Sequence, residues 1–172
     1  MILPIRTLGD PVLKTPAKPV TRFDGGLRTL FEDMVETMYA APGVGLAGPQ
    51  VGLSLRLFVF DDGTTGPTFV ANPVLSDPQG DQVEDEGCLS IPGPFYATGR
   101  SERIVCRGQD LDGEPFEVRG DGLLARILQH ETDHVDGLLF IDRLDDAGRR
   151  QVLAELRRIE MEGADGRGRR GD

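Results

Sequence analysis

Histidine and cysteine are scarce in this chain, two of each in 172 residues. Two cysteines, Cys88 and Cys106, exclude a disulfide-rich secreted scaffold, and a bridge between them is disfavoured unless the protein is exported. No apolar run approaches the roughly 18 residues that a membrane-spanning helix needs. The start, MILPIRTLGDPVLKTPAKPV, is broken by prolines and charges and lacks the apolar stretch of a signal peptide. The expectation is a cytoplasmic protein with no membrane partner. Positive charge is in short supply too: 19 Lys and Arg against 29 Asp and Glu leave a net charge of −10. Such a body repels phosphate backbones, which argues against sequence-specific nucleic-acid binding.

What is present suits a globular protein, with 38% hydrophobic and 28% charged residues and length enough for one sizeable core. Four prolines keep the first twenty residues extended or turning. Helical spacing of Leu27, Leu30, Phe31, Met34, Val35 and Met38 predicts a helix over about 24–40, with Asp24 as N-cap and Pro42 and Gly43 as its stop. After GVGLAGPQ the pattern turns β, with runs at 55–60 and 68–75. Residues 103–120 read as a hairpin around Asp112-Gly113. A second helix is predicted at 121–137, capped by Asp121 and closed by Gly137, and a last one at about 145–162. Strand runs flanked by separate helices indicate an α+β fold. The expected organisation is one domain over 1–162 and a disordered Arg/Gly-rich tail over 163–172. Residues 149–172 carry seven arginines against five acids. That composition reads either as a solvated helix with a frayed end or as a docking segment for an RNA-rich partner.

Both histidines fall in one motif, His130-Glu131-Thr132-Asp133-His134, or HExxH, inside the second predicted helix. Residues i and i+4 lie one above the other on one helix face, so both imidazoles can reach a single ion. The glutamate stands one position on, close enough to act on water at that ion. Counting back along the same row gives Ile127, Leu123 and, less squarely, Arg126. The histidines thus continue an apolar stripe, where two adjacent imidazoles need a shared partner. A third ligand is still required. Cys88, in the turn-rich segment EDEGCLSIPG, is better placed than Cys106, which strand alternation makes a packing residue. Downstream carboxylates Asp142, Asp145 and Glu155 remain open as alternatives. GVGLAG also satisfies the dinucleotide pattern GxGxxG, but it follows a helix and precedes Pro49 and a strand, the reverse of what that fingerprint requires.

Three segments in their observed order, GVGLAGPQ (43–50), EGCLS (86–90) and QHETDH (129–134), together resemble the signature motifs of the peptide deformylases, over about residues 1–160. The resemblance implies antiparallel β-sheets around a central metal-bearing helix, with helices near either end of the chain. It implies one divalent metal on Cys88, His130 and His134, ferrous iron (Fe2+) in cells, with zinc, nickel or cobalt as substitutes. The implied reaction removes the formyl group from N-formylmethionine at the start of new polypeptides. Water on the metal attacks the formyl carbon, Glu131 acts as general acid/base, and Gln50 with the backbone N–H of Leu89 stabilises the oxyanion. The backbone at Val44 and Gly45 would pair with the extended substrate. Val44, Leu123 and Ile127 would line the methionine pocket, with Arg100 as a further substrate contact. The implied partners are N-formylmethionyl peptides and, through the C-terminal helix and tail, the ribosome. Two departures stand out. Gly48 replaces an alanine, which is expected to loosen the loop that aims Gln50, and Arg126 stands where an apolar residue is commoner. A protease-like hydrolase with a carboxylate ligand, and a non-catalytic metal-binding or ribosome-associated module, are the competing readings.

Overall fold

A computed structural model describes residues 1–168, as a five-stranded and a two-stranded antiparallel sheet with three α-helices. Helix α1 spans Gly25–Ala40, and the Asp24 side chain caps it by accepting from the Leu27 N–H. Strands β1 (Gly45–Ala47), β2 (Leu57–Phe60), β3 (Thr68–Gln79), β6 (Arg103–Gln109) and β7 (Pro115–Asp121) form the larger sheet in the order β1-β2-β3-β6-β7. Strands β4 (Gln82–Cys88) and β5 (Ile91–Arg100) form a separate hairpin. Helix α2 covers Gly122–Val135 and α3 covers Asp146–Gly168.

Strand β2 explains the layering. All four of its residues are buried. Leu57 and Val59 pack in one cluster with Leu27, Met34 and Met38 of α1. Phe58 and Phe60 pack in another with Ala125, Leu128 and Val135 of α2. Because successive strand side chains point to opposite faces, the sheet is clamped between the two helices. Removing a buried ring such as Phe58 costs about 3–5 kcal/mol. Helix α3 is held elsewhere, through Val152 and Leu156 against Ile91 and Phe140.

Strand β3 is longer than the expected 68–75. It carries Pro73 and Pro78 because its pairing with β6 slips at two places, between Ala71 and Val74 and between Ser76 and Gln79. Asn72 and Asp77 take positive φ there, the backbone irregularity that lets proline sit in a paired strand. The hairpin β4–β5 lies in a stretch where composition suggested only turns. With no third strand beside it, β5 tolerates Pro92 and Pro94. Asp121 occupies the N-cap position of α2, but its side chain makes no capping bond. Gly137, at φ 80, donates its N–H to the His134 carbonyl at 3.1 Å and closes the helix as expected.

The proline-rich start is a strap rather than a loose end. Arg6 N donates to the Gln50 carbonyl at 2.7 Å and Leu8 N to the Ser90 carbonyl at 2.9 Å. One segment therefore joins the short 3-10 helix Gly48–Val51 to the turn of the β4–β5 hairpin, far apart in sequence. At the other end, α3 runs past the expected stop near 162. Residues 169–172 of the expected tail lie outside the described residues. Among the described residues, no helix is long and apolar enough to cross a membrane.

Candidate metal centre

Helix α2 presents His130 and His134 on one face, with their Nε2 atoms 3.1 Å apart. The Cys88 Sγ lies 3.4 Å from the His134 Nε2. These three donor atoms fall within 4.8 Å of one another. Ligand bonds of about 2.0–2.3 Å in tetrahedral array place neighbouring donors roughly 3.3–3.6 Å apart. The residues present therefore fit one divalent ion, and a sulfur with two imidazoles is a donor set that binds such ions tightly. Burial, then the neighbouring His130, holds His134 well below the usual histidine range, leaving its ring neutral and able to ligate.

The hairpin delivers the sulfur. Cys88 pairs with Ile91, so Leu89 and Ser90 form the two-residue turn between β4 and β5. The other cysteine is far less available: burial in β6 pushes Cys106 up to about 12. The alternative carboxylates are otherwise engaged. Asp142 pairs with Lys14 and Arg149, and Asp145 accepts from Gly148 N at the start of α3 at 2.7 Å. Among the described residues, the ligand cluster is Cys88, His130 and His134.

Glu131 is 4% exposed, and its Oε2 has no hydrogen-bond partner. Its Oε1 stands 3.9 Å from the His130 Nε2. Burial raises this carboxyl to about 7, near the range where one group can both take and give a proton. Gly45 makes the placement feasible: a Cβ there would lie 2.8 Å from the Glu131 carboxyl carbon.

Gln50 is fixed at both ends. Its Oε1 accepts from Ala47 N at 2.9 Å and its Nε2 donates to Ser90 Oγ at 3.1 Å. The same Nε2 lies 3.6 Å from the Cys88 sulfur. Gly48 does not loosen this loop, contrary to expectation. A Cβ at 48 would meet the Leu55 and Leu53 carbonyl oxygens at 2.7 and 3.0 Å, so the glycine permits a tighter approach.

Behind His130 stands Glu86, which the sequence offered only as part of a motif. Its Oε2 accepts from the His130 Nδ1 at 2.8 Å. Arg100 grips both carboxylate oxygens, at 3.1 and 2.6 Å, and Arg126 donates to Oε1 at 2.8 Å. Burial opposes ionisation of Glu86, but the His130 and Arg100 bonds override it and hold the group well below the usual carboxylate range. Such an outer carboxylate fixes the imidazole's tautomer and orientation. Arg100 also donates to Asp133 at 2.7 Å, and Arg143 grips Asp133 from outside at 2.6 and 3.0 Å. Arg100 is thus consumed by buried carboxylates behind the ligand helix and does not line the cleft. It supports a ligand histidine and offers no direct substrate contact. Arg126 sends its head to Glu86 and to Gln82 at 3.2 Å while lining the cleft, which accounts for a charge at an apolar position.

A cavity of about 620 Å³ opens onto this centre. Its lining includes Gly45, Gln50, Cys88, Ile127, His130 and Glu131. Val44 and Leu123 line it too, each about half exposed, whereas Ile127 is buried. The edge strand β1 forms part of the wall through Gly45.

A family model described as polypeptide deformylase matches residues 2–150. The chain belongs to that family. The peptide deformylase of Acidothermus cellulolyticus is 53% identical over 163 residues, covering 94% of this chain and 89% of the relative. A peptide deformylase crystal structure from Legionella pneumophila superposes with a TM-score of 0.90 at 42% identity, covering 95% of this chain and 98% of that one. That from Synechococcus elongatus, solved in complex with actinonin, gives 0.84 at 41% identity, covering 89% and 85%. The deformylase fold accounts for the mixed architecture, with antiparallel sheets about the HExxH helix.

Proposed function

We propose that the cleft seats a formylated peptide end with its formyl carbon beside Cys88, His130 and His134. By family the chain is a metal-dependent hydrolase that removes the formyl group from new polypeptides. The observation that carries the site assignment is the convergence of a thiol and two imidazoles, with a buried glutamate that has one unpartnered carboxylate oxygen, beside a cavity lined by Cys88, His130 and Glu131. A bound divalent ion supplies Lewis acidity, polarising a carbonyl and acidifying water.

The chain's own groups do the rest. Glu131 takes a proton from the attacking water, whose oxygen adds to the formyl carbon. Gln50 Nε2 and the backbone N–H of Leu89 donate to the oxyanion that forms. Glu131 then hands its proton to the departing nitrogen as the C–N bond breaks, leaving formate and a free amine. Cys88, His130 and His134 hold the ion. The free edge of β1 at Val44 and Gly45 aligns the peptide main chain as an added strand. Ile127, with Val44 and Leu123 nearer solvent, receives the methionine side chain. Residues 1–162 serve as a single catalytic domain.

A formate-release assay on formyl-Met-Ala-Ser tests this directly. Protein loaded anaerobically with ferrous iron or nickel is expected to turn the peptide over; no formate with either metal would overturn the reading. Ferrous iron is the expected cellular metal, with zinc, nickel or cobalt able to substitute. Elemental analysis of anaerobically purified protein checks it, and iron below the other metals would refute it. Cytoplasmic residence follows from the substrate, a chain still being made. The seven arginines within 149–172 support docking of the C-terminal helix and tail on the ribosome. Deleting residues 163–172 is expected to reduce co-sedimentation with ribosomes, and unchanged pelleting would remove that role.

A further inference from the structure

The two oxyanion donors come from different sheets. Gln50 follows β1 of the five-stranded sheet, and Leu89 sits in the turn of the separate β4–β5 hairpin. Among the described residues no strand ladder joins the two sheets. The first residues of the chain span the gap instead. Arg6 N–H donates to the Gln50 carbonyl and, two residues on, Leu8 N–H donates to the Ser90 carbonyl. The Gln50 side chain returns to the Ser90 hydroxyl. Residues 6–8, Gln50 and Ser90 thus make a closed ring with three hydrogen bonds, and Gln50 and Ser90 are both buried. Further contacts seat the segment. Ile5 packs against the cluster that also takes Val51 and Leu89, and Leu8 against the one that takes Cys88. The Arg6 head lies over Gly52, where a Cβ would stand 3.0 Å from its Nε. Further along, Ala17 N donates to the Val135 carbonyl at 2.9 Å, at the end of the metal helix. One stretch of backbone thereby touches all three segments that build the site.

We propose that the backbone of Arg6 and Leu8 positions the oxyanion donors, holding the Gln50 amide and the Leu89 N–H at the separation that one oxyanion requires. This rests on the deformylase reading of the site. Neither Arg6 nor Leu8 lines the cleft, so both act through the groups they hold. Gln50 Nε2 carries two hydrogens, one for Ser90 Oγ and one for the oxyanion, so the ring persists while the reaction runs. Donors aimed where charge develops lose much of their effect when they are displaced, and a shift of about 1 Å costs about 10²-fold in rate.

Leu8 offers a direct way to open the ring. It is the second residue of a turn closed by Asp10 N donating to the Thr7 carbonyl at 3.0 Å, and Gly9 follows at φ 108. Proline suits the second place of such a turn, and it removes the N–H. Leu8→Ala keeps the N–H and gives up more of the side chain. On formyl-Met-Ala-Ser, Leu8→Pro is expected to show a kcat about 10–100-fold below that of Leu8→Ala. KM should agree within about threefold between the two, and metal stoichiometry should be equal. In a Gln50→Ala background the same gap in kcat should shrink at least about threefold, because one of the donors being aimed is gone. Arg6→Pro against Arg6→Ala repeats the comparison at the other end, and decides the matter where Leu8→Pro does not fold. Equal kcat within the pairs, a gap carried by KM or by lost metal, or a gap unchanged by Gln50→Ala would overturn the inference. No formate from wild-type protein would instead remove the deformylase reading and this inference with it.

Discussion

The carboxylate of Glu131 occupies the space that a side chain at Gly45 would need, with a Cβ there falling 2.8 Å from the carboxyl carbon. The glycine of the edge strand and the glutamate of the metal helix are thus a matched pair. Gly45→Ala is expected to displace the carboxylate and cut kcat by about tenfold or more. The metal stays bound, because neither ligand histidine is touched. Steady-state kinetics beside metal stoichiometry would show it, and an unchanged kcat would refute it.

Replacing Glu131 with glutamine removes the proton carrier while nearly preserving shape. Turnover should fall about 10²–10⁴-fold with metal content intact. In the intact enzyme the acid limb of kcat/KM reports this carboxyl, since only the ionised form can accept a proton. Activity should therefore rise as pH increases through a midpoint at or below about 7, and a bound dication moves that midpoint lower by favouring the carboxylate. A pH profile whose acid limb survives in Glu131→Gln would assign it to another group.

The two cysteines should part company on metal analysis. Cys88→Ala is expected to lose the ion or weaken it severely, because it removes one of three protein donors. Cys106→Ala leaves stoichiometry unchanged, the thiol being buried in β6 away from the centre. Equal metal content in both variants would contradict the assignment.

Glu86 ties stability, metal affinity and pH together. Glu86→Ala strips the partner from His130 and leaves Arg100 and Arg126 buried with one carboxylate fewer. A cost of about 3–5 kcal/mol in stability is expected, and Glu86→Gln should weaken metal binding about 10–100-fold. The folded protein holds this group below its ordinary value of 4.5. Its stabilisation is therefore complete above that pH and is lost as pH falls below it, when the unfolded chain takes up the proton first. Denaturant titrations in acid should show a shallower pH dependence for Glu86→Gln, and an unchanged slope would count against the role.

The metal helix was the most legible part of the sequence, because ligation at i and i+4 and the apolar row through Ile127 and Leu123 share one period. Helix α1 and the β6–β7 hairpin were legible for similar local reasons. The β4–β5 hairpin was not. An acidic stretch and two prolines hide a strand pair that needs no third neighbour. Glu86, Ser90 and Asp133 were missed as supporting residues because nothing local says that a carboxylate or hydroxyl will be buried against a distant arginine or glutamine. Asp133 gave the one available hint, a charge between two ligands on a helix whose opposite face is apolar. Arg100 was misread for the same reason: the buried carboxylates that consume it come from β4 and α2.

Strand β1 is three residues long, ends its sheet, and reaches solvent through the cleft. An unpaired edge ordinarily invites other sheets to add on, with aggregation as the hazard. Recessing this one changes what can dock there. A folded domain is too wide to enter, whereas a single slack polypeptide can thread in. The enzyme would accordingly discriminate by the state of its substrate as well as by its chemistry, favouring ends that have not yet been folded away.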